Sequence, residues 1–224
     1  MRLEARVCDG RAMSPTPLTP FDTRARYALL AFVGLVLAWS GVGAKDPFTW
    51  VLEVVPVFVG LSLVLARHRA YPLTLLVSTL LALHAAVLCV GGHWTYAEVP
   101  AGFWVRDALH LTRNPYDRLG HLMQGFVPAV LAREIFLRSS PLRRGGWLFL
   151  CVTSVCLAFS ACYELIEWWT ALSTGEAAEA FLGTQGDPWD TQWDMFCALL
   201  GALTAQLTLA RWHDRQLRAL VARA

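Results

Sequence analysis

The chain has 224 residues, of which 56% are hydrophobic and only 16% charged, and its mean hydropathy is +0.44. Soluble domains carry about 45–50% apolar and about 25% charged residues. Here the apolar excess is gathered in blocks close to the roughly 17–25 residues that a bilayer requires of a helix. A soluble globular domain and a disordered chain are thereby excluded, and a net charge of +2 gives no footing for nucleic-acid binding.

Residues 1–26 hold five arginines and the stretch Ser14-Pro15-Thr16-Pro17-Leu18-Thr19-Pro20. No apolar run precedes a small-residue cleavage site there, so this part reads as a polar cytoplasmic tail and not as a signal peptide. Six apolar spans follow, at about 27–44, 47–66, 72–91, 116–137, 146–169 and 189–212, and residues 213–224 form a basic tail. Backbone polar groups in hydrocarbon must be satisfied within their own segment, so each span is expected to be helical. The fold class is therefore an all-α polytopic membrane bundle. The six cysteines show no CxxC pair and sit mostly inside apolar blocks, as small buried hydrophobes do.

Arginine bias sets the orientation. The N-terminal tail, the 67–71 and 138–145 connections and the C-terminal tail hold fourteen arginines, against four basic residues (Lys45, Arg106, Arg113 and Arg118) on the other side. Both termini are thus expected inside, with outward loops near 45–46, 92–115 and 170–188. Eight of the ten tryptophans, Trp39 and Trp189 among them, fall near the outer interface, where amphipathic rings prefer to sit.

An internal echo opens the fourth and sixth spans. Asn114-Pro115-Tyr116-Asp117 is followed by His121, and Asp187-Pro188-Trp189-Asp190 by Asp194. Each reads as an N-cap, a proline at the first helical position, an aromatic and an acid. Capping accounts for Asn114 and Asp187, and complementing the helix dipole accounts equally well for Asp117 and Asp190. Neither explains His121 and Asp194, one turn deeper at matching depths.

The fifth span adds a polar stripe, Thr153, Cys156, Ser160, Glu164 and Glu167, at helical spacing. The sixth carries Asp190, Asp194, Cys197, Gly201, Thr204 and Thr208, and the fourth Asp117, His121, Gln124 and Pro128. A carboxylate inside a span costs roughly 2.5–3.5 kcal/mol on insertion scales and by default marks function. Glu164, Glu167, His121 and Asp194 are the candidate catalytic group, and the same four are candidate metal ligands. Asp117, Arg118, Gln124, Asp187, Asp190 and Gln192 are candidates for a supporting or substrate-binding role. Carboxylates outnumber the basic partners Arg113, Arg118 and His121, so a bound cation or carboxyl protons must make up the difference. Elsewhere, His84 reads as a satisfied core histidine in preference to a site member, and His93 and His110 as loop residues that either gate a site or lie at the surface. Glu53 and Pro56 read as a cross-helix contact, Arg133 and Glu134 as an inner-face pair, and His213 has no assigned role.

The runs Asn114-Pro115-Tyr116-Asp117-Arg118-Leu119-Gly120-His121, Tyr163-Glu164-Leu165-Ile166-Glu167-Trp168 and Gly183-Thr184-Gln185-Gly186-Asp187-Pro188-Trp189-Asp190-Thr191-Gln192-Trp193-Asp194-Met195 together resemble the YjdF family of bacterial inner-membrane proteins. The resemblance covers about residues 27–209 and implies a six-helix inner-membrane protein, without carrying catalytic residues over. A fainter similarity is to VanZ-like proteins, which also place a histidine early in one helix and acids in later ones.

Three functions compete on these grounds. One is a membrane-embedded hydrolase or transferase whose site opens to the outer leaflet and takes a lipid or lipid-linked substrate, with a divalent metal as the expected cofactor. An oxygen-rich site suits Mg²⁺, Mn²⁺ or Ca²⁺, and one histidine with two or three acids also holds Zn²⁺ or Fe²⁺. The second is a proton- or cation-coupled transporter using the same acids as a relay. Against it, the polar stripes thin toward the inner half and no inverted repeat is visible. The third is a buried network that only fixes packing. The expected partners are the bilayer and such a substrate, with no nucleic acid.

Overall fold

The computed structural model describes residues 20–175 and 179–221, and most of the Pro-containing tail lies outside them. No strand occurs among the described residues. The order is α1 (Pro20–Gly41), α2 (Pro47–Arg67), α3 (Leu75–Trp94), a 3₁₀ turn (Tyr96–Glu98), α4 (Pro100–Leu109), α5 (Tyr116–Ser139), α6 (Gly146–Thr174), α7 (Glu179–Leu182) and α8 (Asp190–Val221). Four of these, α2, α3, α6 and α8, are long and apolar enough to cross a membrane. The other two long helices carry more charge: α5 holds Asp117, Arg118, Arg133, Glu134 and Arg138, and α1 opens with Asp22, Arg24 and Arg26.

Local chemistry starts the helices where it is expected to. Asp46 caps α2 by accepting from Thr49 N at 2.8 Å, with Pro47 at the first position. Thr74 caps α3 through Val77 N. The echoed motifs do more than cap. Asn114 accepts from Tyr116 N at 3.1 Å, the bond of an N-cap two residues ahead of the first helical residue, and also donates to Val99 O at 3.0 Å. Gly102 leaves the space for it, since a Cβ there would lie 1.8 Å from Asn114 Oδ1. Asp187 does accept from Trp189 N at 2.9 Å, but its other oxygen faces Arg118, and both Pro115 and Pro188 precede the helices they were expected to open.

The bundle is built on the α5–α8 pair, with α6 packed against both, α3 against α5, and α1 and α2 against α3. Glycine permits the central crossing. A Cβ on Gly125 would lie 1.8 Å from Ala198 O, and one on Gly201 2.0 Å from Leu122 O, so the backbones meet as small residues allow in membrane helices. Successive long helices run in opposite directions. At one end Arg26 bonds Leu73 O, Arg138 donates to Pro72 O and Arg144 pairs with Asp214. At the other, Lys45 pairs with Glu98 and Arg113 with Asp190. These are the terminal end and the site end below. Leu63, Leu172 and Leu207 are 60–75% exposed on long helices, an outfit for hydrocarbon and not for water.

Helix ends differ from the span limits drawn by hydropathy. α1 includes the last residues of the polar tail, α6 continues to Thr174, and α8 runs to Val221 with His213 fully buried. Residue 212 is therefore no structural boundary. Thr204 and Thr208 are exposed, although they extend the α8 stripe in phase. The buried face drifts around α8 as it crosses α5, passing to Ala205, Gln206 and His213, and Thr208 bonds back to Thr204 O at 2.6 Å.

Candidate functional site

Two arginines organise the entrance. Arg113, just before α5, reaches Asp117 at 3.1 Å, pairs with Asp190 and donates to Gly183 O and Thr184 O at 3.0 and 3.2 Å. Arg118, one turn into α5, meets Asp190 at 2.9 Å, Asp187 at 3.0 Å and Asp194 at 3.1 Å. Asn114 and Gln185 bond each other reciprocally at 2.9 and 3.0 Å, fixing the 183–187 loop over the start of α5. The acids at the head of α8 are thus matched by guanidinium charge.

Beneath them lies His121, buried at 6% exposure. Its Nε2 is 3.5 Å from Asp117 Oδ1 and 3.9 Å from Asp194 Oδ1, while its Nδ1 is 3.7 Å from Glu164 Oε1 and 3.0 Å from Gln124 Oε1. Two overlapping groups result, Asp117–His121–Asp194 and His121–Glu164–Glu167. In each the nearest donor atoms lie within 4.8 Å of one another. They differ in their charge balance. Arg113 and Arg118 hold Asp117 and Asp194, whereas among the described residues no arginine bonds Glu164 or Glu167, and Glu164 Oε1 is buried without a hydrogen bond.

His121, Asp117 and Glu167 also face a cavity of about 430 Å³ of atom-free space, counting what opens to the outside. Its wall also includes Glu53 and Pro56 of α2, His84 of α3, Tyr96 of the 3₁₀ turn and Tyr163 of α6, which the sequence did not join to the acids. Tyr163 donates to Glu53 Oε2 at 3.4 Å. The Tyr96 ring fits slots left by two glycines, since a Cβ on Gly91 would lie 2.2 Å from it and one on Gly120 2.6 Å. Burial pushes the Tyr96 hydroxyl well above the usual phenol range, so it stays a proton donor.

Of the sequence candidates, His121, Glu164, Glu167, Asp194, Asp117 and Gln124 converge. Arg118, Asp187 and Asp190 form the entrance, and Gln192 is exposed on α8, away from the buried cluster. His84 is not a satisfied core histidine: its Nε2 is buried without a partner and it lines the cavity. Glu53 does make a cross-helix contact, and belongs to the cavity as well. His93 is structural, stacked on Trp39 at 4.6 Å and bonded to Ser40 O at 3.0 Å. His110 is the left-handed cap of α4 and lies at the surface. The polar groups do not simply thin toward the terminal end. There Glu134, with no exposure, bonds Thr74 Oγ1 at 2.7 Å, Arg138 at 2.6 Å and His213 at 3.1 Å, and Arg133 joins His213 to Asp214.

Comparison with known proteins fits this geometry to a family. DUF2238, described as a predicted membrane protein, matches residues 25–215. The chain belongs to that family. It is 57% identical over 184 residues to the inner membrane protein YjdF of Escherichia coli strain K12, an alignment covering 82% of this chain and 88% of the relative. It is an inner-membrane protein with several membrane-crossing helices. No solved structure matches it.

Proposed function

We propose that the protein is a six-span inner-membrane enzyme with both termini in the cytoplasm. In this reading it is a hydrolase or transferase that acts on a lipid or lipid-linked substrate from the outer leaflet and uses a divalent cation. The carrying observation is the arginine-free group of His121, Glu164 and Glu167, with donor atoms within 4.8 Å of one another and an unsatisfied carboxylate oxygen. Two carboxylates and a neutral imidazole carry a charge that one divalent cation balances, and burying the two charges uncompensated would be costly.

In this arrangement His121 binds through Nδ1, and Gln124 Oε1 offers a neutral oxygen beside it. Asp117 receives Nε2–H from behind and fixes the ring, the carboxylate–histidine support common in metal sites. Asp194, neutralised by Arg118, shapes the entrance and is not a ligand. A cation so held supplies Lewis acidity toward a phosphoryl or carbonyl oxygen. Glu167, facing the cavity, is placed to accept a proton from water or a substrate hydroxyl.

The terminal-end cluster gives the transporter reading its best footing, as polar groups for an inner gate. Against it, Val77, Ala129, Val130, Val152, Cys156 and Ala202 pack into an apolar layer on α3, α5, α6 and α8, the helices that hold the two clusters. A dry packed layer passes neither ions nor protons.

Metal analysis of the purified protein tests the enzyme reading. About one divalent ion per chain is expected in the wild type, and less than a tenth of that in Glu164→Gln, with Gln192→Ala unchanged. A metal-free wild type after purification and reloading, or full occupancy in Glu164→Gln, overturns it.

A further inference from the structure

The cavity beside His121 is bounded by α2, α3, α5 and α6. α3 packs on α2 and on α5, and α5 packs on α6, so the α2–α6 seam is the least closely packed side of this ring among the described residues. α7 touches both helices at the site end, with Phe181 buried there against Tyr163 at 6.3 Å between rings. Below it the Tyr163–Glu53 bond crosses the seam. Phe159 belongs to the cavity wall and is itself 50% exposed, so the wall reaches the outside of the bundle.

Charge and shape select the occupant. Glu53 and Glu167 face the cavity, and neither arginine nor lysine lines it. His84 Nε2 is buried without a partner, and with the ring proton on Nδ1 it accepts a hydrogen bond from an ammonium. Tyr96, Tyr163 and Phe159 add aromatic walls, which favour a cation by their negative ring faces. The enclosed room is about 40 Å³, space for a few water molecules or one small polar head. We infer that this cavity binds the protonated amine head of an amphiphile that enters sideways from the bilayer through the α2–α6 seam, its chain remaining in lipid. The inference names the substrate class of the enzyme proposed above and rests on that reading for its chemistry, but the binding itself needs no metal.

The test uses metal-stripped protein in nanodiscs of neutral lipid, with dodecylamine, dodecanol and ethanolamine as probes and thermal unfolding as readout. Dodecylamine is expected to raise the melting temperature saturably, dodecanol and ethanolamine to do so at least tenfold more weakly. Glu53→Gln is expected to weaken dodecylamine binding at least tenfold while keeping wild-type metal content on reloading. Glu164→Gln is expected to lose metal and keep the amine. Should Glu53→Gln fail to fold, His84→Leu serves: replacing an unsatisfied buried nitrogen by an apolar group of similar shape leaves stability near wild type, and amine binding is expected to fall about tenfold. Equal binding of dodecanol overturns the amine, and equal binding of ethanolamine overturns lateral entry by an amphiphile. Unchanged dodecylamine binding in both variants overturns the site. Loss of metal from the wild type with amine binding intact strikes the enzyme reading alone.

Discussion

Arg113 and Arg118 meet four aspartates between them, which explains how so many acids sit at the head of α8 without a cation. Removing one partner of a buried ion pair strands the other, at about 3–5 kcal/mol. Arg118→Ala, which strands Asp194 and leaves Asp190 to Arg113 alone, is therefore expected to lower unfolding stability in mixed micelles by about 3 kcal/mol; a loss below about 1 kcal/mol would mean that water reaches Asp194. The glutamates separate on different grounds from those the sequence offers. Glu164 is about 4.5 Å deeper along α6 at 1.5 Å per residue, which suggests that it is the more buried, yet both are 7% exposed. What divides them is what they face: His121 for Glu164, the cavity for Glu167. Asp117→Asn keeps the shape behind His121 and weakens its hold on the ring, so metal affinity is expected to fall about 10–100-fold, as for other outer-sphere partners. Titration with a competing chelator measures this, and unchanged affinity would remove Asp117 from the supporting role.

At the scale of helices, the stripes on α5, α6 and the head of α8 were legible because several polar residues repeat at helical spacing and fix a face. Glu53 and His84 were not, because a lone ionisable residue on an apolar helix marks no direction until its neighbours pack. The Glu134–His213 contact escaped for another reason: His213 lies just past the expected end of the sixth span, and only α8 continuing to Val221 brings it onto Glu134. The α8 stripe failed at Thr204 and Thr208 because a fixed phase assumes parallel neighbours, whereas α8 crosses α5 through Gly125 and Gly201. Gly125→Leu is expected to abolish a monodisperse folded species on size exclusion. Gly34→Leu, where no neighbouring atom lies within 4 Å of the new Cβ, should elute as wild type. Equal behaviour of the two would discount the close crossing.

For the whole molecule, the antiparallel run of the long helices brings the starts of α1 and α3 and the last turns of α8 to one end of the bundle, and the proposed orientation, drawn from the arginine excess, puts that end in the cytoplasm. Reporter fusions at residues 70 and 142 are expected to read cytoplasmic and one at 105 external; a clear reversal at any of them contradicts the orientation. The sequence carried the membrane class and the all-helical fold, because these depend on composition and local spacing. It could not carry the cavity, whose walls come from α2, α3, the 3₁₀ turn, α5 and α6. The central claim is that His121 holds a cation together with Glu164 and Glu167. Loading metal-stripped protein with Mn²⁺ and recording its electron spin-echo modulation tests this most directly. One imidazole nitrogen coupled to the metal is expected in the wild type and in Asp194→Asn, and none in His121→Phe. A wild type without nitrogen coupling, or a coupling that survives in His121→Phe, contradicts it.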